Sequence, residues 1–125
     1  MILDTNALSA LADGERSLAP ILRAATEVAL PVIVLGEYRY GISASRGRLH
    51  YERWLTEYVT TLRVLDVDEG TTLHYASVRG QLRTAGTPIP TNDAWIAALA
   101  RQHAMPIVSR DRHFDLVPGA KRIAW

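Results

Sequence analysis

The most constraining feature of this 125-residue sequence is a series of very short apolar runs, each ending abruptly before a stretch with helical periodicity. Met1 to Leu3 stops at Asp4-Thr5-Asn6, Val28 to Leu30 stops at Pro31, and Val64 to Val67 and Pro106 to Val108 are the third and fourth runs. Arg122 to Ala124 reads as a last strand. Between the runs the spacing predicts helices over 7–12, 17–26, 32–42, 49–61, 69–85 and 94–103. Ser17 and the Thr91-Asn92 pair stand as N-cap signals, and Gly86 as a C-cap. Strands separated by helices cannot pair as hairpins, so the alternation predicts a parallel sheet of four to five strands with helices on both faces. Neither a linker nor a repeat interrupts the sequence, which predicts one α/β domain over residues 1–125.

In such sheets function gathers at the carboxyl ends of the strands. Asp4 ends the first strand, and Asp111 follows the fourth by three residues. Asp93 opens the helix leading into that fourth strand. Glu37 lies one to two turns into the helix after the second strand. There Ile33, Gly36, Glu37, Tyr40 and Gly41 share a broad face, and the apolar neighbours Ile33, Val34 and Ile42 place Glu37 on or near an inward surface. Each acid alone has an ordinary structural explanation: Asp4 as a helix cap, Asp93 as a dipole partner, Asp111 as an ion pair of Arg110 or Arg112, and Glu37 as a half-exposed neighbour of Arg39. Together they are harder to explain. Four carboxylates in one cleft repel one another, and burial makes each charge costlier, so joint ionisation requires a cation. Hard oxygen donors suit Mg²⁺ or Mn²⁺. Such a site can hydrolyse a phosphodiester with no nucleophilic side chain.

Composition narrows the chemistry. The sequence has no cysteine, which excludes disulfides, thiolate zinc sites and cysteine nucleophiles and suits a reducing cytoplasm. No segment approaches the roughly 18 apolar residues of a membrane span, and Asp4 interrupts the N-terminal apolar stretch, arguing against a signal peptide. The net charge of +1 proposes no nucleic-acid partner. Yet 13 of the 14 basic residues are arginine, whose planar fork of donors matches phosphate. Arg46, Arg48 and Arg53, in and after one loop, and Arg110 and Arg112, flanking Asp111, are candidate phosphate contacts.

The motifs resemble those of a known family. Ile2-Leu3-Asp4-Thr5-Asn6 resembles the opening motif of PIN domains, and Leu35-Gly36-Glu37 with Tyr40-Gly41 resembles the segment carrying their second acid. Thr91-Asn92-Asp93-Ala94-Trp95-Ile96-Ala97 resembles the third motif, Ser109-Arg110-Asp111-Arg112-His113-Phe114 the fourth, and Val117-Pro118-Gly119 a common sequel. Order and spacing agree over essentially the whole chain, and the nearest likeness is to the VapC-type toxins of toxin–antitoxin pairs. The resemblance implies a PIN-like three-layer α/β/α sandwich and a metal-dependent endoribonuclease. It also implies a tRNA or ribosomal RNA substrate, a cognate antitoxin and a homodimer. It carries metal binding onto Asp4, Asp93 and Asp111, with Glu37 completing the site directly or through water.

Thr5 and Asn6 are expected to shape the loop around Asp4, and Ser109 to hydrogen-bond an acid or a metal-bound water. Asp115 is a candidate fifth acid. His113 adjoins the acidic loop, but a lone histidine is more often structural. Tyr38, Tyr40, Tyr51 and Tyr58 fall at helical spacings that favour packing over base stacking, and Trp95 is expected to fix the helix that carries Asp93. Two rival functions stand beside the nuclease. One is a non-catalytic PIN module that docks RNA or protein. The other is a phosphatase with Asp4 as nucleophile, which normally wants a second acid where Asn6 stands.

Overall fold

The computed structural model describes all residues, 1–125. Five parallel strands form one sheet: β1 (Ile2–Leu3), β2 (Ala29–Pro31), β3 (Arg63–Leu65), β4 (Ile107–Val108) and β5 (Arg122–Ile123), in the order β3-β2-β1-β4-β5. Six α-helices connect and cover them: α1 (Thr5–Ala12), α2 (Ala19–Arg23), α3 (Val32–Ile42), α4 (Arg48–Val59), α5 (Glu69–Ala85) and α6 (Thr91–His103). Short 3₁₀ turns lie at Arg16–Leu18 and Arg112–Leu116. The architecture is the three-layer α/β/α sandwich.

The strand order explains where a site can form. The chain lays down β1, β2 and β3 in one direction, then returns to place β4 against the other side of β1 and β5 beyond it. The order therefore reverses at β1. Adjacent loops leave the β1/β4 edge in opposite directions there and open a crevice at the carboxyl ends of the strands. Asp4 follows β1, and Ser109 to Asp111 follow β4.

The central strands are apolar throughout because both of their faces are covered. Ile2, Leu3, Ala29, Leu30, Ile107 and Val108 are all fully buried. They join Leu8, Val34, Leu55, Val78, Leu82, Ile96, Leu99 and Phe114 in one hydrophobic cluster. The third strand lies at one edge of the sheet, and Arg63 and Val64 on it are exposed. Helix α6 is buried at Ala94 and over Ile96–Ala100, with Trp95 between them half-buried. Its small alanine side chains let it sit close to its neighbours, and Trp95 stacks on Tyr75 of α5 with ring centroids 3.7 Å apart. The sequence reading of Trp95 as a packing residue agrees with this contact.

Several boundaries differ from the sequence reading. Ser17 is no helix cap: its hydroxyl donates to the Glu15 carboxylate, a 3₁₀ turn surrounds it, and α2 is only five residues long. Helix α6 begins at Thr91 with Pro90 at the cap and no capping side chain. Helix α5 is instead held at its start by a reciprocal capping box between Asp68 and Thr71, and it ends as expected at Gly86, whose φ is +72°. On α3 the buried residues are Val34, Tyr38 and Ile42, while Tyr40 and Gly41 face solvent. The face shared by Gly36, Tyr40 and Gly41 is thus the open one, and Glu37 stands half-buried at its border.

The burial pattern separates two leucines that look alike in the sequence. Leu30→Ala in β2 should cost roughly 2–5 kcal/mol, whereas Leu73→Ala on α5, where the side chain is 75% exposed, should change stability by less than about 0.5 kcal/mol. Urea unfolding of both variants measures the difference.

Candidate active site

Asp4 is the buried centre of the crevice, 5% exposed where β1 passes into α1. Three donors hold its carboxylate. The Thr5 amide donates to Oδ1 at 2.8 Å, the Ser109 hydroxyl to Oδ2 at 2.6 Å, and the Asn6 amide to Oδ2 at 3.3 Å. Asn6 ties the two loops together: its Nδ2 also reaches Ser109 Oγ at 3.2 Å, and its Oδ1 accepts the Arg110 amide at 3.2 Å. Thr5 turns the other way and donates its hydroxyl to Glu37 Oε1 at 3.1 Å, linking α1 to α3. The expected roles of Thr5, Asn6 and Ser109 are therefore visible as specific hydrogen bonds.

Asp111 caps the 3₁₀ turn after β4. Its Oδ1 accepts the His113 amide at 2.9 Å, and its own amide donates to Ser109 Oγ at 2.9 Å. Phe114, fully buried one residue beyond His113, anchors this turn in the core. Asp93 projects from the first turn of α6, with its side chain 15% exposed. The His113 ring bridges the two acids, with Nδ1 3.1 Å from Asp93 Oδ2 and 3.0 Å from Asp111 Oδ1. Asp93, Asp111 and His113 can each offer one donor atom with all three atoms within 4.8 Å of one another.

The electrostatics tie the four acids into one site. Burial pushes the Asp4 carboxyl above its ordinary range; hydrogen bonds from Ser109 and Thr5 oppose this, and the charges of Asp93 and Glu37 add to it. Burial likewise pushes Asp93 up, against the His113 hydrogen bond and with the Asp111 and Glu37 charges. The Asp93 hydrogen bond in turn raises the His113 imidazole. One buried and one half-buried carboxyl that resist ionisation, beside two further acids, form a donor set that fits a divalent cation. The outer groups Thr5, Asn6 and Ser109 orient the carboxylates as ligand-supporting hydrogen bonds do at metal sites.

Other candidate residues lie elsewhere. Asp115 takes no part in the cluster: Arg122 grips both of its oxygens, Nε at 2.8 Å and Nη2 at 2.9 Å, and the same guanidinium donates to the Ser109 carbonyl at 3.1 Å. The sequence reading missed Arg122, because nothing in the order of residues brings its strand beside the fourth motif. Arg110 leaves Asp111 alone; it pairs with Glu15 at 3.4 Å and lies over the Trp125 ring at 4.5 Å. Arg48 pairs with Glu52 one turn further along α4. Arg46, Arg53 and Arg112 are exposed and make no hydrogen bond to any of the four acids. The structure gives His113 a more central place than the structural role the sequence favoured.

A cavity of about 270 Å³ opens beside Glu37, lined by Thr5, Ser9, Asp13, Tyr38, Ser45 and Tyr51 among others. Tyr38 is a core residue tilted against Trp54, and Trp54 stacks on Tyr58. The tyrosines Tyr38 and Tyr58 therefore pack, as their spacing predicted, while Tyr51 donates its hydroxyl to Asp13 at 2.7 Å.

A parallel sheet reversing at β1, with four acids and their supporting hydroxyl and amide groups at that edge, is the arrangement of a PIN domain. Residues 1–120 match that family, and the chain belongs to it. Ribonuclease VapC5 of Mycobacterium tuberculosis is 31% identical over 127 residues, spanning 98% of this chain and 90% of that protein. The tRNA(fMet)-specific endonuclease VapC of Salmonella typhimurium is 29% identical over 94 residues, spanning 74% and 71%. Among solved structures, VapBC2 from Rickettsia felis bound to a DNA fragment from its promoter superposes with a TM-score of 0.89. It is 26% identical and covers 99% of this chain and 97% of that one. Nucleases of the family are generally dependent on divalent metal, in keeping with the acidic cluster here.

A pH experiment tests the charge balance. A carboxyl held above its ordinary range binds its proton more tightly when folded, so its contribution to stability is present below the unfolded value and lost as pH rises through the folded one. The raised imidazole of His113 loses its contribution in the same direction. Asp93→Asn should therefore gain stability relative to the parent protein as pH rises through the carboxyl and then the imidazole range, and melt higher than the parent at alkaline pH without cations. Saturating divalent cation should reverse that order. Paired thermal melts with and without cation read the crossover.

Proposed function

We propose that this chain is a divalent-cation-dependent endoribonuclease, the toxin of a type II toxin–antitoxin pair, acting on RNA in the cytoplasm. The single observation that carries the proposal is the convergence of Asp4, Glu37, Asp93 and Asp111 on the reversal edge of a PIN sheet. The relatives add the substrate class, since they are named ribonucleases and a tRNA-specific endonuclease. A solved VapBC complex on promoter DNA supports a cognate antitoxin as the protein partner. No helix is long and apolar enough to cross a membrane.

Asp4, Asp93 and Asp111 would hold the cation, Mg²⁺ or Mn²⁺, with Glu37 completing its shell directly or through water. A bound divalent cation supplies an activated water and neutralises charge on the phosphoryl group. The protein's own part is orientation. Ser109 and Asn6 hold the Asp4 carboxylate through Oδ2, and the Thr5 hydroxyl holds Glu37. The Ser109 hydroxyl is fully buried and spent on Asp4, so it is not a nucleophile. Exposed Arg46, Arg48, Arg110 and Arg112 are proposed phosphate contacts around the crevice. They should make RNA affinity fall with salt.

Purified protein with Mg²⁺ or Mn²⁺ should cleave total RNA, and Asp4→Ala should lose at least about 100-fold in rate. Equal cleavage by both proteins would sink the site assignment. Tight RNA binding with no cleavage under any divalent cation would leave a non-catalytic PIN module. Ser109→Ala keeps every carboxylate but removes the shortest support of Asp4, and should cost roughly 10–100-fold. Single-turnover rates on one defined RNA compare the variants.

A further inference from the structure

The His113 ring stands between two of the four acids. Its Nδ1 stands 3.1 Å from Asp93 Oδ2 and 3.0 Å from Asp111 Oδ1. Two anionic oxygens from separate elements, α6 and the turn after β4, thus converge on one ring nitrogen. That nitrogen carries at most one hydrogen and cannot serve both oxygens at full strength. The spacing has a second meaning. Neighbouring donors around a six-coordinate cation with bonds of about 2.1 Å are separated by about 3.0 Å. Both contacts of Nδ1 have that length.

The backbone beneath the ring is held in place. The His113 amide donates to the same Asp111 oxygen, and Phe114 beside it is buried in the core, so the turn fixes the position from which the imidazole reaches the two acids. Without a cation Nδ1–H donates to these oxygens; with the proton moved to Nε2, the Nδ1 lone pair would face a cation held between the two carboxylates. The outer edge of the ring reaches solvent, since the side chain is 45% exposed, and Nε2–H can be satisfied there.

We propose that His113 is a nitrogen ligand of the cation held by Asp93 and Asp111, and that it tilts this site toward Mn²⁺ over Mg²⁺. The inference rests on the proposed cation-dependent function and deepens it. Imidazole nitrogen binds first-row transition ions far better than it binds Mg²⁺, which prefers carboxylate and water oxygens. A site of oxygens alone would discriminate little between the two ions. One imidazole in the shell adds affinity for Mn²⁺ and almost none for Mg²⁺. His113 is then a specificity determinant of the metal centre.

The experiment reads the ligand directly, without activity. Electron spin-echo spectra of Mn²⁺ bound to the wild-type protein should show ¹⁴N modulation from a coordinated imidazole. His113→Ala and His113→Gln should abolish it. In the same variants Mn²⁺ affinity should fall about tenfold or more, while Mg²⁺ affinity, measured by competition, changes less than about threefold. Thermal melts of the cation-free variants establish that they fold. Mn²⁺ bound without nitrogen modulation in the wild type overturns the inference and leaves the oxygen-ligated site standing. Modulation that survives in the variants overturns it as well, by placing the nitrogen elsewhere. Failure of the wild type to bind Mn²⁺ overturns the inference, and failure to bind Mg²⁺ as well, read directly by calorimetry, overturns the cation-dependent function itself.

Discussion

The structure around the crevice holds a buried carboxylate, Asp4, at the point where the strand order of the parallel sheet reverses. A charge at that depth is costly unless donors surround it. The Thr5 amide, Ser109 hydroxyl and Asn6 amide supply three, drawn from the loops after β1 and β4. Those bonds fasten the two loops to each other, and Asn6 extends the tie to the Arg110 amide. The neighbouring acids act against this arrangement, because Asp93 and Glu37 both oppose ionisation of Asp4. The edge is thus braced by neutral donors and loaded with negative charge, the condition under which a divalent cation binds well.

The support extends beyond the four acids. Arg122 on β5 holds Asp115 and the Ser109 carbonyl, so the outermost strand braces the loop that positions the Asp4 hydrogen bond. Trp95 stacks on Tyr75 and fixes α6 against α5, which sets the direction of Asp93 two residues earlier. On the far side, Thr5 links Glu37 on α3 to α1. Asp4, Glu37 and Asp93 are each held by a group on another element, and Asp111 by the amide of the turn it caps. This is what preorganised geometry requires, since a carboxylate free to rotate would lose ligand geometry to its neighbours' repulsion.

Much of the fold was legible because its signals are local. Short apolar runs mark buried strands, alternation with helical periods marks a parallel sheet, and Gly86 marks the end of α5 through its left-handed backbone. The acids were legible because their motifs are contiguous and stand at strand ends. Local signals also misled where context overrode them. Ser17 lost its capping role to a 3₁₀ turn, and the Gly36–Tyr40–Gly41 face proved to be the open face of α3 because Val34, Tyr38 and Ile42 fill the core. Asp115 resembled a fifth ligand in sequence, yet the bidentate grip of Arg122 removes it from the cluster.

The sequence by itself determined the strand and helix alternation, the four carboxylates and their supporting Thr5, Asn6 and Ser109. All of these depend on residue type and near-neighbour spacing. Only the tertiary structure decided that Asp93 and Asp111, eighteen positions apart along the chain, share one imidazole nitrogen, and that Arg110 turns from Asp111 toward Glu15 and Trp125. The reason is physical. Side-chain partnerships form across elements that the strand order brings together, and a 3 Å contact depends on rotations that no periodicity encodes.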